Sequence, residues 1–205
     1  MKKANYCILF ILLFMLNIIL TDISYSQWTL AGSITNPGLR PVISAADQNN
    51  VWCAGGRAGL PVIFRTTNGG LNWTSESANG IFTELLCIWA KDAGTVFAGD
   101  AGINGKARFY RTTNAGLNWI VLDILDGPTA SINGVKFSES MPLFGIAISG
   151  NIDGCGSSNF IYKTKDGGIS WTKKELAGYS GAATSINSLL AVDSLFYAFG
   201  TTMCL

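Results

Sequence analysis

Arg65-Thr-Thr-Asn-Gly-Gly-Leu-Asn-Trp73 returns without gaps as Arg111-Thr-Thr-Asn-Ala-Gly-Leu-Asn-Trp119 and as Lys163-Thr-Lys-Asp-Gly-Gly-Ile-Ser-Trp171. The three stretches share the pattern Thr-x-Asn/Asp-x-Gly-x-x-Trp, and their tryptophans are 46 and 52 residues apart. Trp28 precedes Trp73 by 45 residues, in the same phase. A repeat of about 40–50 residues is typical of the blades of a β-propeller.

A second marker repeats along the chain and reads as a strand. It appears as Val51-Trp-Cys-Ala-Gly55, Val96-Phe-Ala-Gly99 and Phe196-Tyr-Ala-Phe-Gly200, with a looser version at Phe144–Gly150. The residues before each Thr and after each Trp also read as strands, with apolar and aromatic side chains on either side of turn residues. The repeated stretch is therefore predicted to be the hairpin between the third and fourth strands of a four-stranded blade.

The residue types of the repeat fit a tight turn. The Asn or Asp can accept hydrogen bonds from backbone N–H groups of its own turn, and the Thr hydroxyl offers a second local contact. The Gly can supply a positive φ, and the Trp supplies a large apolar surface that belongs beside or between blades. The predicted structural residues are Thr66, Asn68, Gly70, Trp73, Thr112, Asn114, Gly116, Trp119, Thr164, Asp166, Gly168 and Trp171.

These motifs resemble the Asp-box, or BNR, repeat, and residues 27–205 as a whole resemble Asp-box propellers of exported bacterial proteins. The combination of Val-Trp-x-Ala-Gly with x-Thr-Thr-Asn-Gly-Gly-x-x-Trp is particularly similar to photosystem II stability/assembly-factor-like propellers. Sialidases, xyloglucan-type glycosidases and sortilin-like receptors share the Asp-box as well. The resemblance therefore implies a fold, and function must be argued from a site.

The expected architecture is all-β, with about three and a half four-stranded antiparallel blades. The blades are placed at about residues 40–76, 81–122, 130–175 and 184–205. Gln27–Leu30 has the phase of a fourth strand, and the last blade shows only two strands. We therefore expect residues 27–205 to be a partial propeller, the N-terminal fragment of a longer protein. A self-completing oligomer and a small irregular propeller are the alternatives.

Residues 1–26 have the order of a secretory signal peptide. Lys2 and Lys3 precede an apolar stretch from Tyr6 to Leu20, and small residues, Ser24 and Ser26, end the segment. The prediction is export to the periplasm, the cell surface or the medium of a bacterium, with no transmembrane anchor after cleavage. An uncleaved membrane anchor is the alternative.

Charge and cysteine content limit the partners and the chemistry. Removing Lys2, Lys3 and Asp22 leaves 12 basic and 12 acidic residues without a basic stripe, so nucleic acid is not expected as a partner. The chain contains no histidine, which excludes His-based triads and zinc sites. No metal or other cofactor is predicted. Cys53 and Cys87 are expected to be buried thiols, and a bridge between Cys155 and Cys204 is conceivable but weakly supported.

A glycosidase would need two carboxylates that face one scissile bond. Asp47, Asp92, Asp126 and Asp193 are assigned to turns or their borders, and Asp166 belongs to a repeat. Asp100 and Asp153 follow second strands and are the least implausible candidates, with a solvated loop carboxylate as their default interpretation. Asn151-Ile-Asp-Gly154 falls short of a calcium loop.

A sialidase would also need three arginines, and here Arg65 and Arg111 occupy equivalent repeat positions, which indicates a structural role. No catalytic residue is therefore assigned. The predicted function is a secreted, non-catalytic propeller scaffold that binds a protein or carbohydrate surface. The alternative is the N-terminal part of a glycosidase of the sialidase or xyloglucanase type, with catalytic residues outside this chain.

Overall fold

The computed structural model describes about two thirds of the chain, which has 205 residues. The described residues are 32–34, 36, 38–76, 78–81, 83–104, 106–126, 130–151, 160–175, 188–192 and 195–199. Every regular element among them is a β-strand, so the all-β prediction is confirmed.

The strands form consecutive antiparallel sheets in chain order, each a simple meander. The first sheet contains β1 (Leu39–Ala45), β2 (Val51–Arg57), β3 (Leu60–Thr66) and β4 (Thr74–Ser75). The second contains β5 (Leu85–Ala90), β6 (Val96–Asp100), β7 (Lys106–Thr112) and β8 (Ile120–Asp126). The third contains β9 (Ala130–Phe137), β10 (Gly145–Asn151), β11 (Phe160–Thr164) and β12 (Thr172–Glu175). A two-stranded sheet of β13 (Ser188–Val192) and β14 (Leu195–Phe199) follows. This is the architecture of a partial β-propeller.

Two details of the strands differ from the sequence prediction. Each repeated Trp lies one residue before the fourth strand, which begins at Thr74, Ile120 and Thr172. The fourth strand of the second sheet also continues beyond Leu122 to Asp126, which pairs with Lys106. Both differences arise at strand ends, where residue type discriminates poorly between a strand and the adjoining turn.

The β2–β3 hairpin has a two-residue turn. Arg57 pairs with Leu60, and the residues between them, Ala58 and Gly59, have φ angles of 52° and 79°. Positive φ at both central positions is the pattern of a type I′ turn, whose twist matches that of the flanking strands. Gly59 has open space where a Cβ would lie.

The first and second sheets pack through aromatic side chains near the repeated turns. Trp52, on β2, is fully buried and meets Trp119 edge to face, with ring centroids 6.3 Å apart and an interplanar angle of 88°. The Arg65 guanidinium lies 5.0 Å from the centroid of the Trp52 ring. A Cβ added to Gly116 would come within 3.0 Å of the Trp52 ring, so this glycine allows close approach of the sheets.

The second and third sheets pack in the same way with different residues. Phe97 takes the place of Trp52, since Phe97 pairs with Arg111 as Trp52 pairs with Arg65. A Cβ on Gly168 would lie 2.6 Å from Cε1 of Phe97. The Trp171 ring stacks on Phe109, with centroids 4.5 Å apart and planes within 4°. The second and third copies of the Thr-x-Asn/Asp-x-Gly-x-x-Trp repeat thus each pack against the second strand of the preceding sheet.

Candidate binding pocket at the first strands

The twelve predicted structural residues build three nearly identical turns, which we call the repeated turns: residues 66–73, 112–119 and 164–171. In the second, the Thr112 hydroxyl donates to Oδ1 of Asn114 (2.9 Å) and accepts from the N–H of Gly116 (3.0 Å). Oδ1 of Asn114 also accepts from the N–H of Asn118 at 3.1 Å. The first and third turns repeat this network through Thr66 and Thr164.

The repeated turns contain a second left-handed residue that the sequence prediction missed. Gly70, Gly116 and Gly168 have φ angles of 91°, 86° and 84°, and the preceding residues also have positive φ. Those preceding residues are Gly69, Ala115 and Gly167. Their N–H groups donate to the carbonyl oxygens of Asn49, Gly94 and Leu143, which lie between the first and second strands of the same sheets. The Gly at the earlier position in two of the three turns was the available signal.

Asp166 makes the third turn sensitive to acid. The Ser170 hydroxyl, the Ser170 N–H and the Thr164 hydroxyl all donate to this carboxylate and hold its pKa well below the ordinary value of 3.8. A carboxylate with a depressed folded-state pKa contributes stability above its unfolded-state pKa and loses it as the pH falls through the folded-state pKa. Asn68 and Asn114, at the equivalent positions, do not titrate.

We expect Asp166→Asn to remove an acid-dependent part of the stability. The difference in urea midpoint between wild type and variant should be constant from about pH 7 to pH 5 and should shrink below about pH 4. Asn114→Asp is the matched control, because its turn has Asn118 where the third has Ser170, and it should gain a weaker acid dependence. A wild-type to Asp166→Asn difference that persists unchanged to pH 2 would rule out this role.

Asp100 is not a solvated loop carboxylate, and the default interpretation of this residue was wrong. It ends β6 and is fully buried. Its carboxylate accepts from the N–H groups of Arg108 (2.8 Å) and Gly102 (3.0 Å) and from the Tyr110 hydroxyl (2.8 Å). Burial raises the pKa of Asp100 despite these donors. The carboxylate therefore stabilises the connection between β6 and β7, and it is not exposed to an open site.

The structure describes some of the other cysteines and aspartates considered in the sequence, and the rest lie outside the described residues. Cys53 and Cys87 are buried free thiols, as expected, and burial raises the pKa of Cys87 to about 12, which suppresses the reactive thiolate. Asp47 and Asp92 each accept backbone N–H groups of their own turns. Asp153, Cys155, Asp193 and Cys204 lie outside the described residues, as does most of the calcium-like stretch after Asn151.

A pocket of about 480 Å³ opens where the first strands of three sheets end. We call it the first-strand pocket. Its lining residues come from the ends of β1, β5 and β9 and from the residues just beyond them: Ile43, Ser44, Ala45, Ala46, Trp89, Ala90, Lys91, Lys136, Phe137 and Glu139. The repeated turns occupy the same edge of the sheets, since they are bonded to the connections that follow these first strands. Pockets of this volume suit a small ligand or a short peptide segment.

The floor of the first-strand pocket is held by contacts between the sheets. The N–H of Ala90 donates to the Ser44 hydroxyl at 2.9 Å and links the first strands of two sheets. Trp89 packs against Phe137, with centroids 4.9 Å apart and planes at 22°, and against Phe97 at 6.0 Å. Packed aromatic side chains of this kind present a fixed surface at low entropic cost.

The charged residues of the pocket are Lys91, Lys136 and Glu139. Lys91 and Glu139 are exposed, and Lys136 is half-buried. Within the described part of the chain, no salt bridge joins either lysine to a carboxylate, whereas Arg108 lies 3.7 Å from Asp100. The lining thus has one exposed lysine, one half-buried lysine and one exposed carboxylate. Sequence analysis missed this pocket because repeats do not reveal which strand ends converge.

The described ranges lack two kinds of feature. These residues include no cluster of three or more His, Cys, Asp or Glu side chains suited to a metal ion. They also include no helix with the length and apolarity needed to span a bilayer.

The strand meanders and repeated turns define a propeller-type protein, and solved structures share this fold. YCF48 from Cyanidioschyzon merolae is 17% identical, with a TM-score of 0.54 over 79% of this chain and 48% of that one. YCF48 bound to D1 peptide is 18% identical, with a TM-score of 0.50 over 72% and 43%. The GH74 enzyme of Niastella koreensis is 18% identical, with a TM-score of 0.54 over 73% and 24%. The chain therefore spans less than half the length of these proteins. No family model and no curated protein matches it.

Proposed function

We propose that this chain is an exported, non-catalytic propeller scaffold that binds a segment of another protein in the first-strand pocket. The repeated turns are its Asp-boxes, and they serve the folding of the blades. Export to the bacterial envelope or beyond is inferred from the basic, apolar and small-residue order of residues 1–26.

The observation that carries the proposal is the composition of the first-strand pocket. It combines a packed aromatic floor, exposed aliphatic surface at Ile43 and two lysines, of which Lys91 is exposed and Lys136 is half-buried. Glu139 is the sole carboxylate among its lining residues, so the pocket does not provide the paired carboxylates of glycoside hydrolysis. Asp100, one of the two sequence candidates for such a role, is buried and accepts three hydrogen bonds.

The neighbours are compatible with either a binding or an enzymatic role. One has been solved with a bound D1 peptide, which supports peptide binding as something this fold accommodates. The neighbour from Niastella koreensis is a GH74 enzyme. At these levels of identity only the fold is shared, so the pocket decides between the two functions.

The proposal is tested by an immobilised peptide array and a glycan array probed with the chain from Gln27 onward, alongside turnover assays on sialosides and β-glucans. We expect peptide binding and no turnover. Ala45→Trp, which puts a bulky ring at the exposed rim of the pocket, should abolish the binding. Thr172→Trp, at an exposed position of β12, is the matched control and should bind normally. Hydrolysis, or peptide binding unaffected by Ala45→Trp, would overturn the proposal.

A further inference from the structure

The first-strand pocket has a charge pattern that specifies its ligand further. Lys91 follows β5 directly, and Lys136 lies near the end of β9, so the two cations come from neighbouring sheets. The residues 27–205 carry equal numbers of basic and acidic groups, whereas the pocket has two lysines against one glutamate. The lining residues of the pocket thus have an excess of one positive charge, whereas residues 27–205 as a whole are balanced.

The exposed apolar residues of the pocket, Ile43 and Ala45, are aliphatic. Ile43 is 68% exposed, whereas the equivalent residues Ile88 and Val135 are 7% and 3% exposed. These residues are equivalent because each pairs with the corresponding residue of the second strand in its sheet. The pairs are Ile43–Cys53, Ile88–Ala98 and Val135–Ala147. Ile88 and Val135 are buried because the preceding sheet packs on them, whereas no sheet that precedes the first is among the described residues. Ile43 and the exposed Ala45 form an aliphatic rim of the pocket.

Trp89, one of the two aromatic residues of the pocket, contacts two neighbouring rings. It lies nearly parallel to Phe137 at 4.9 Å. Phe97 approaches Trp89 as well, at 6.0 Å and 41°. The Trp89 ring therefore packs the second sheet against the third and forms part of the floor of the pocket.

From these contacts we infer that the first-strand pocket binds an acidic, aliphatic-containing peptide segment, with carboxylates placed at Lys91 and Lys136 and an aliphatic side chain on Ile43. This inference rests on the proposed function and names the ligand of that same pocket. Exposed charge pairs contribute modestly, so the lysines select among segments while the aliphatic contact adds affinity.

The probes are two synthetic twelve-residue peptides with alternating leucine and a polar residue, glutamate in one and glutamine in the other. Calorimetric titration at low salt should give at least tenfold tighter binding of the glutamate peptide, and the difference should shrink as salt is raised. Lys91→Ala and Lys136→Ala should each weaken binding of the glutamate peptide about fivefold, which corresponds to one exposed charge pair. Lys174→Ala, at an exposed site on β12, is the matched control and should leave affinity unchanged.

The outcomes separate this inference from the proposed function. If both peptides bind equally and Ala45→Trp abolishes both, the pocket binds peptides but the charge selection is wrong. If neither peptide binds while an anionic oligosaccharide, oligogalacturonate, binds in a lysine-dependent manner, both the peptide ligand and the protein-segment function are overturned. If the lysine variants retain wild-type affinity and salt dependence, the assignment of carboxylates to Lys91 and Lys136 is refuted.

Discussion

Gly168→Ala is expected to lower the free energy of unfolding by roughly 3 kcal/mol, because it combines a left-handed backbone with a steric clash. Gly168 has a φ of 84°, and its added Cβ would lie 2.6 Å from Cε1 of Phe97 and 3.2 Å from Cζ of Phe137. Both rings are buried in the interface of two sheets and have little room to move. Urea unfolding followed by tryptophan fluorescence measures the loss.

Gly59→Ala separates the two contributions to this loss. Gly59 has a similar φ of 79° but nothing within 4 Å of its virtual Cβ, so its substitution carries the backbone cost of about 1 kcal/mol alone. Equal losses for Gly59→Ala and Gly168→Ala would show that the repeated turn does not approach the preceding sheet as closely as described.

Trp52→Ala is expected to cost roughly 3–5 kcal/mol, the range for truncation of a fully buried large aromatic side chain. Trp52 is 0% exposed and contacts Trp119. Its ring also lies so close to Gly116 that a Cβ added there would come within 3.0 Å of it. Trp52→Phe should cost only roughly 1–2 kcal/mol, since the second sheet uses Phe97 at the equivalent position.

A double-mutant cycle with Trp52→Phe and Trp119→Phe measures the contact between the first two sheets. We expect a coupling energy of about 0.5–1.5 kcal/mol for the edge-to-face pair. Chemical denaturation of the four proteins supplies the values. Strict additivity would contradict direct contact of the two rings, whatever the cost of each single change.

The sequence predicted the parts of the fold that depend on local chemistry. The Thr-x-Asn/Asp-x-Gly pattern indicates a turn because its side chains bond to their own backbone, and the observed networks around Thr112 and Asn114 are local in this sense. The alternation of such turns with apolar strands was enough to predict consecutive four-stranded sheets and an all-β fold.

The parts that sequence did not predict depend on contacts between sheets. Gly168 looked like a turn residue, but its neighbour Phe97 is 71 positions away, and no local pattern reports that distance. Asp100 looked solvated because it follows a strand, yet Tyr110 and the β6–β7 connection enclose it. The first-strand pocket draws on three strands whose first residues are 46 and 45 positions apart, so its lysines had no signature in the sequence.

The repeated turns are assigned a role in stability, and the first-strand pocket is assigned a role in binding. Asn114→Ala removes the acceptor of the Asn118 N–H and should reduce stability by about 1–2 kcal/mol. It lies outside the pocket lining and should leave peptide affinity intact, whereas the double variant Lys91→Ala/Lys136→Ala should do the reverse.

The most direct test is the dissociation constant of the glutamate–leucine peptide for Asn114→Ala, measured by calorimetry at a temperature where circular dichroism shows the variant to be folded. The account predicts a value within twofold of wild type. A folded Asn114→Ala protein that has lost the peptide would contradict it, because the repeated turns would then belong to the binding site.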